Sequence, residues 1–173
     1  MAIMIIFNYL KSPRCYAAFV DGSVKCYNKA TSKKETFMSI KTNTPTGIPF
    51  EFDVDTDQDR IVITTQNGSQ HAYMLRSLLD LYLWLKDDCD GNWVLLGAQG
   101  EEESPNVGTI EQWARSEQNS VNGFYGLTPG LRGEFASYIP SILEHFGFVE
   151  VEHNLRNNRI RARPVTPKID IYN

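Results

Sequence analysis

Apolar and polar positions alternate through much of the first half of the chain and switch to helical spacing in the second. Tyr16 to Val20 and Ser23 to Tyr27 flank Asp21-Gly22, and Arg60 to Gln66 and Ser69 to Met74 flank Asn67-Gly68. Both dipeptides supply the positive φ of a tight turn, so each pair of runs predicts a two-residue hairpin. In the second hairpin, that closure pairs Ile61 with Met74 and Ile63 with Ala72 on one face, leaving Val62, Tyr73, Thr64 and His71 on the other. Glu35 to Lys41 and Pro49 to Val54 predict two more strands around the loop Asn43 to Gly47. The apolar start, Met1 to Leu10, reads as a strand, since it lacks a basic leader and a cleavage site.

Leu75, Leu78, Leu79, Tyr82 and Leu83 carry helical spacing, and Leu81, Trp84 and Leu85 widen the stripe, which predicts a helix over Leu75 to Lys86 packed on the sheet. Asn92 to Leu96 predicts a strand buried on both faces. The glycine, proline and acid of 98–108 read as a linker between a β-rich unit at 1–97 and a second unit at 109–173. Thr109 with Gln112 predicts a capped short helix. Thr128-Pro129 predicts the start of a longer one, whose register runs Leu131, Phe135, Tyr138, Ile139, Ile142, Leu143 and Phe146 before Gly147 closes it. Pro140 removes the bond to Ala136, so a kink or a break is expected there.

A turn at Asn157-Asn158 then gives a hairpin with two chemically different faces. Val149, Val151, His153, Leu155, Ile160 and Ala162 form one; Glu150, Glu152, Asn154, Arg156, Arg159, Arg161 and Arg163 form the other. Two-residue closure sets Glu152 opposite Arg163 and Arg156 opposite Arg159, a like-charge contact that costs a few tenths of a kcal/mol, roughly, without an anion. Arg156, Arg159 and Arg161, with Asn157 and Asn158 beside them, are therefore the candidate contact with an anionic partner or nucleic acid. Their alternative is a solvated hairpin paired with Glu150, Glu152 or the linker acids. The tail, Ile169 and Ile171 around Asp170, offers one more strand, within the chain or to a second copy.

Composition narrows this picture. The 173 residues are 42% hydrophobic, enough for a core, and the fold class is α+β: a mostly antiparallel sheet with one packed helix, then a helix-helix-hairpin unit. The net charge of -4 comes from the N-terminal side: ten Lys/Arg against fourteen Asp/Glu up to Ser104, then seven against seven. Any attraction to nucleic acid must therefore be local. Three cysteines without paired spacing suggest neither disulfides nor zinc and point to a cytoplasmic setting, and no apolar run reaches the roughly 18 residues of a membrane span. The alternating Asp53, Asp55, Asp57 and Asp59 place Gln58 and Thr64 where a calcium loop needs Gly and Glu, so no metal is expected. No catalytic or cofactor motif appears.

The order of elements from Thr109 to Arg163 resembles a winged-helix domain, with only two helices unless Pro140 splits the second. The segments NGFYGLTPGLRGEF and NLRNNRIRAR also resemble an uncharacterised bacterial C-terminal domain family, which implies no activity. Within the first segment, Gly126 and Gly130 beside Tyr125 and Arg132 form a second candidate, a loop able to admit a phosphate-bearing or other small ligand. Its alternative is a tight turn that packs its aromatic residues into the core.

Overall fold

The computed structural model describes residues 15–20, 23–28, 39–55, 57–97, 100, 102–164 and 169–170. Met1 to Leu10, Glu35 to Met38 and the turn Asp21-Gly22 lie outside them. Two compact units are present: Met1–Phe37 with Val165–Asn173, and Met38–Pro164. In the first, β1 (Cys15–Val20) and β2 (Ser23–Asn28) pair antiparallel in the register a two-residue turn requires, with Cys15 opposite Asn28 and Cys26 opposite Ala17. β10 (Ile169–Asp170) joins β2 in parallel, so this part of the tail pairs within its own chain.

The second unit is an α+β body. Its larger sheet has the order β3 (Ile40–Asn43), β4 (Pro49–Asp55), β5 (Arg60–Thr65), β6 (Gln70–Met74), all antiparallel. The β5–β6 register departs by one residue from a two-residue turn: Ile61 faces Tyr73 and Ile63 faces His71. Thr65 N–H donates to Ser69 O and Gly68 N–H to Thr65 O, so Gly68, at φ 84°, takes the left-handed position of a bulged, longer turn. Asn67 Oδ1 accepts from Ser69 N–H, which holds that geometry. One residue of slip exchanges the faces. Tyr73 consequently joins Ile61, Ile63, Phe50 and Phe52 inside, and all five are buried.

α1 (Ser77–Leu83) follows and continues into a wider turn, Trp84–Asp88. β7 (Val94–Leu95) is only two residues long, and Leu95 is 46% exposed, so the expected doubly buried strand is corrected to a half-exposed one. α2 (Ile110–Ala114) starts where expected: Thr109 Oγ1 accepts from Gln112 N–H at 3.3 Å. The expected linker does not separate the compact units. Arg115 donates to the carbonyls of Gly100 and Glu103, and Glu111 N–H donates to Leu96 O, which fastens both ends of the acidic stretch to one body.

α3 (Phe135–His145) begins six residues beyond the expected start at Pro129, after Glu134 at φ 63°. Thr128 does not cap it because its hydroxyl accepts from Ala72 N–H on the β6 edge, at 2.8 Å. Leu127 N–H to Ala72 O and Met74 N–H to Tyr125 O extend that edge cover. The N-terminus of α3 is instead satisfied from outside: Glu111 Oε2 accepts from Ala136 N–H at 2.8 Å. The helix runs unbroken through Pro140. Gly147, at φ 81°, ends it with paired bonds from Gly147 N–H to Glu144 O and Phe148 N–H to Leu143 O. Phe135, Ile139, Ile142 and Leu143 are fully buried with Leu81 of α1 and the inner sheet face.

β8 (Val149–Val151) and β9 (Arg159–Ala162) complete a second sheet of order β7-β9-β8. Glu150 faces Arg161, and Glu152 N–H donates to Arg159 O, so the register is shifted by four residues from the expected one. An even shift keeps the paired strand residues on their expected faces but lengthens the loop, which takes His153 and Leu155 off the apolar face and leaves both exposed. Asn158 causes the lengthening: its buried amide accepts from Asn154 N–H and donates to Asn154 O, bracketing the intervening residues, with Asn157 at φ 55°. Opposite charges now face each other across the strands in place of two arginines.

A candidate anion-binding face on the smaller sheet

The inner face of the smaller sheet is set by Val149, Val151, Ile160 and Ala162, all buried, so the alternate residues of β8 and β9 must face outward. Arg159 and Arg161 stand two residues apart on that outer face, about 6.6 Å along the strand. Each has a carboxylate partner: Arg159 Nη2 lies 2.6 Å from Glu152 Oε1, and Arg161 Nη2 lies 2.5 Å from Glu150 Oε2. Arg163 reaches the same Glu150 at 3.7 Å. Hydrogen bonds from Arg159 hold the Glu152 carboxyl below its ordinary pKa.

Trp93, one residue before β7, supplies an aromatic floor. The Arg161 guanidinium lies 4.6 Å from its ring centre and that of Arg159 lies 5.5 Å away, both within cation–π range. Arg156 is exposed in the hairpin loop and makes no ion pair or hydrogen bond to a described residue. Across 149–163, four arginines against two glutamates leave a local charge of +2. Of the five residues singled out in sequence, Arg159 and Arg161 come together, Arg156 and Asn157 are exposed in the loop, and Asn158 is buried with its amide already bonded. Trp93 was not among them. Only the pairing of β7 with β9, across more than sixty residues of chain, brings it in.

The glycine-rich loop is closed. Tyr125 is fully buried, its ring stacked at 5.4 Å on Trp113, and its hydroxyl donates to Asp80 Oδ2 at 3.0 Å. Burial, reinforced by Asp80, pushes the phenol pKa well above the ordinary range. A Cβ at Gly126 would run into the Phe124 ring, so that glycine makes room for a neighbouring side chain. Gly130, at φ 85°, belongs to the turn closed by Leu131 N–H on Thr128 O, and Arg132 faces solvent.

A separate polar cleft of about 270 Å³ lies between the β3–β4 loop and the end of α3. His153 Nε2 and Glu144 Oε2 are 2.8 Å apart at its rim, with Thr42, Asn43 and Thr46 among the residues opposite. Glu144 is itself fixed, because its other oxygen accepts from Val151 N–H. His153 is thus exposed and paired rather than turned into an apolar face. His145 is exposed at the helix end but packs edge-on to Phe52 and Phe146, and this partial desolvation lowers its pKa.

The model of a family of unknown function, DUF6855, matches residues 30–163, and the chain belongs to that family. No curated protein and no solved structure matches it. The matched stretch nearly coincides with the compact unit Met38–Pro164.

Proposed function

We propose that this member of DUF6855 is a cytoplasmic, non-enzymatic binding protein that engages a polyanion, such as a nucleic acid, through the outer face of β9 and the hairpin loop. The observation that carries the reading is the arrangement of Arg159 and Arg161 over Trp93, with Arg156 exposed in the adjoining hairpin loop. Their partners, Glu150 and Glu152, are part of a solvent-facing surface where ion pairs exchange at little net cost, so phosphate oxygens can replace them. The element order supports a winged-helix-like unit: α1 supplies the helix missing from 109–173, and β7 joins the hairpin as a third strand.

Fluorescence anisotropy with a labelled nucleic acid tests this. Binding should be measurable at low salt and fall steeply as salt rises, and R156A/R159A/R161A should weaken it without lowering the melting temperature. Undetectable or salt-independent binding would sink the proposal. The Glu144–His153 cleft favours a second reading, a site for a small polar ligand. A thermal-shift screen of nucleotides, sugars and phosphorylated metabolites checks it: a ligand must raise the melting temperature of the wild type and not of H153A.

A further inference from the structure

We infer that the polyanion is single-stranded nucleic acid, with Trp93 as the stacking platform; this rests on the binding face proposed above. Reading a duplex by the winged-helix route requires a helix free to enter the major groove. α3 is not free. Phe135, Ala136, Ile139, Pro140, Ile142 and Leu143 are buried, Tyr138 packs on Phe50 at 5.1 Å, and His145 packs on Phe52 at 5.8 Å. Of the residues of this helix, only His145 is exposed.

The outer face of the smaller sheet bears a half-buried indole with two guanidiniums over it. Unpaired bases present π-faces that stack on aromatic rings and on arginine planes, whereas bases within a duplex are already stacked on each other. Trp93 is half-buried, and its ring carries the Arg161 guanidinium at 4.6 Å. A base can stack on that guanidinium or displace it from the ring, as Arg159 and Arg161 turn to the flanking phosphates. Stacking also answers the charge problem. With Glu150 and Glu152 competing for the same arginines, phosphate contact alone is weak, and a contribution independent of charge is needed to select a partner.

The test compares four labelled probes on the intact protein at one low salt concentration: a fifteen-nucleotide oligothymidylate, a base-free oligomer of the same phosphate number, a fifteen-base-pair duplex and inorganic polyphosphate. Oligothymidylate should bind about tenfold more tightly than each of the others. W93L should reduce its affinity to that of the base-free oligomer and weaken the binding of polyphosphate, which has no base to stack, several-fold less. If W93L fails to melt cooperatively, the comparison of oligothymidylate with the base-free oligomer decides alone. Equal affinity for those two, or tighter binding of the duplex, overturns the single-strand inference and leaves the polyanion reading standing. No binding of any probe overturns both.

Discussion

Glu111 has no solvent exposure, yet its two oxygens are both engaged: one accepts from Arg115 at 2.8 Å, the other from Ala136 N–H at the start of α3. Burial, the largest influence, raises its pKa above the ordinary 4.5, against the lowering effect of those two donors. The folded state therefore holds this proton more tightly than the unfolded chain does. Between 4.5 and the higher folded value, the group's contribution to stability falls as pH rises, and above that value it is flat. The difference in melting temperature between wild type and E111Q, followed from pH 4 to 8, should shift toward E111Q as pH rises through the lower part of that range; a constant difference would refute the assignment. E111A takes one acceptor from Arg115, which keeps the Gly100 and Glu103 carbonyls, and leaves Ala136 N–H unpaired, so it should cost about 2–4 kcal/mol in urea unfolding. Gly97 is a second single-residue constraint. At φ 61°, a Cβ there would stand 2.5 Å from Thr109 Cβ, so G97A combines backbone strain with a clash at the α2 cap and should cost about 2–4 kcal/mol. A loss below about 0.5 kcal/mol would show that the cap yields easily.

Within the hairpin, Glu150 and Glu152 are competitors for the arginines that a polyanion would use. E150Q/E152Q keeps the shape of both side chains and removes both negative charges, so polyanion affinity should rise several-fold over the wild type at low salt, and by less at high salt. An unchanged or reduced affinity would argue that the carboxylates position the arginines productively. This hairpin also shows where legibility ended. The faces of Val149, Val151, Ile160 and Ala162 were readable from alternation, because period two survives any even slip. The register was not, because a buried Asn158 amide bonding Asn154 cannot be told in sequence from a two-residue Asn-Asn turn. The β5–β6 turn failed in the same way: Asn67-Gly68 announced a turn, but Gly68 sits in a bulge that exchanges the faces and carries Tyr73 inside. Likewise Thr128 looked like a cap, and its hydroxyl was claimed by the edge of β6 instead. Local chemistry located the turns and caps; the partners that set their geometry lie far along the chain. Trp93 is the functional counterpart, invisible until β7 meets β9.

For the whole molecule, the acidic stretch 98–108 had the composition of a linker, yet the compact units divide elsewhere, at Phe37 and Pro164. Arg115 accounts for this, since it ties the carbonyls of Gly100 and Glu103 to a helix whose other contacts reach both the strand before it and α3. Cutting within 98–108 would thus sever one core, whereas cutting near residue 38 and residue 164 would not. A fragment of residues 38–164 contains both sheets of the larger unit, all three helices and the arginine face. It should unfold in a single cooperative transition, with near-ultraviolet circular dichroism showing its half-buried tryptophan and buried tyrosine side chains in fixed surroundings. If the binding face is complete, the fragment should also hold a polyanion within about threefold of the intact chain, less than the tenfold that 1.4 kcal/mol represents. Two halves split at residue 103 should each lack cooperative melting, because Val94 and Leu95 would be parted from Ile160 and Arg159. Cooperative folding of 109–173 by itself would reverse this conclusion and restore the two-domain division at the acidic stretch.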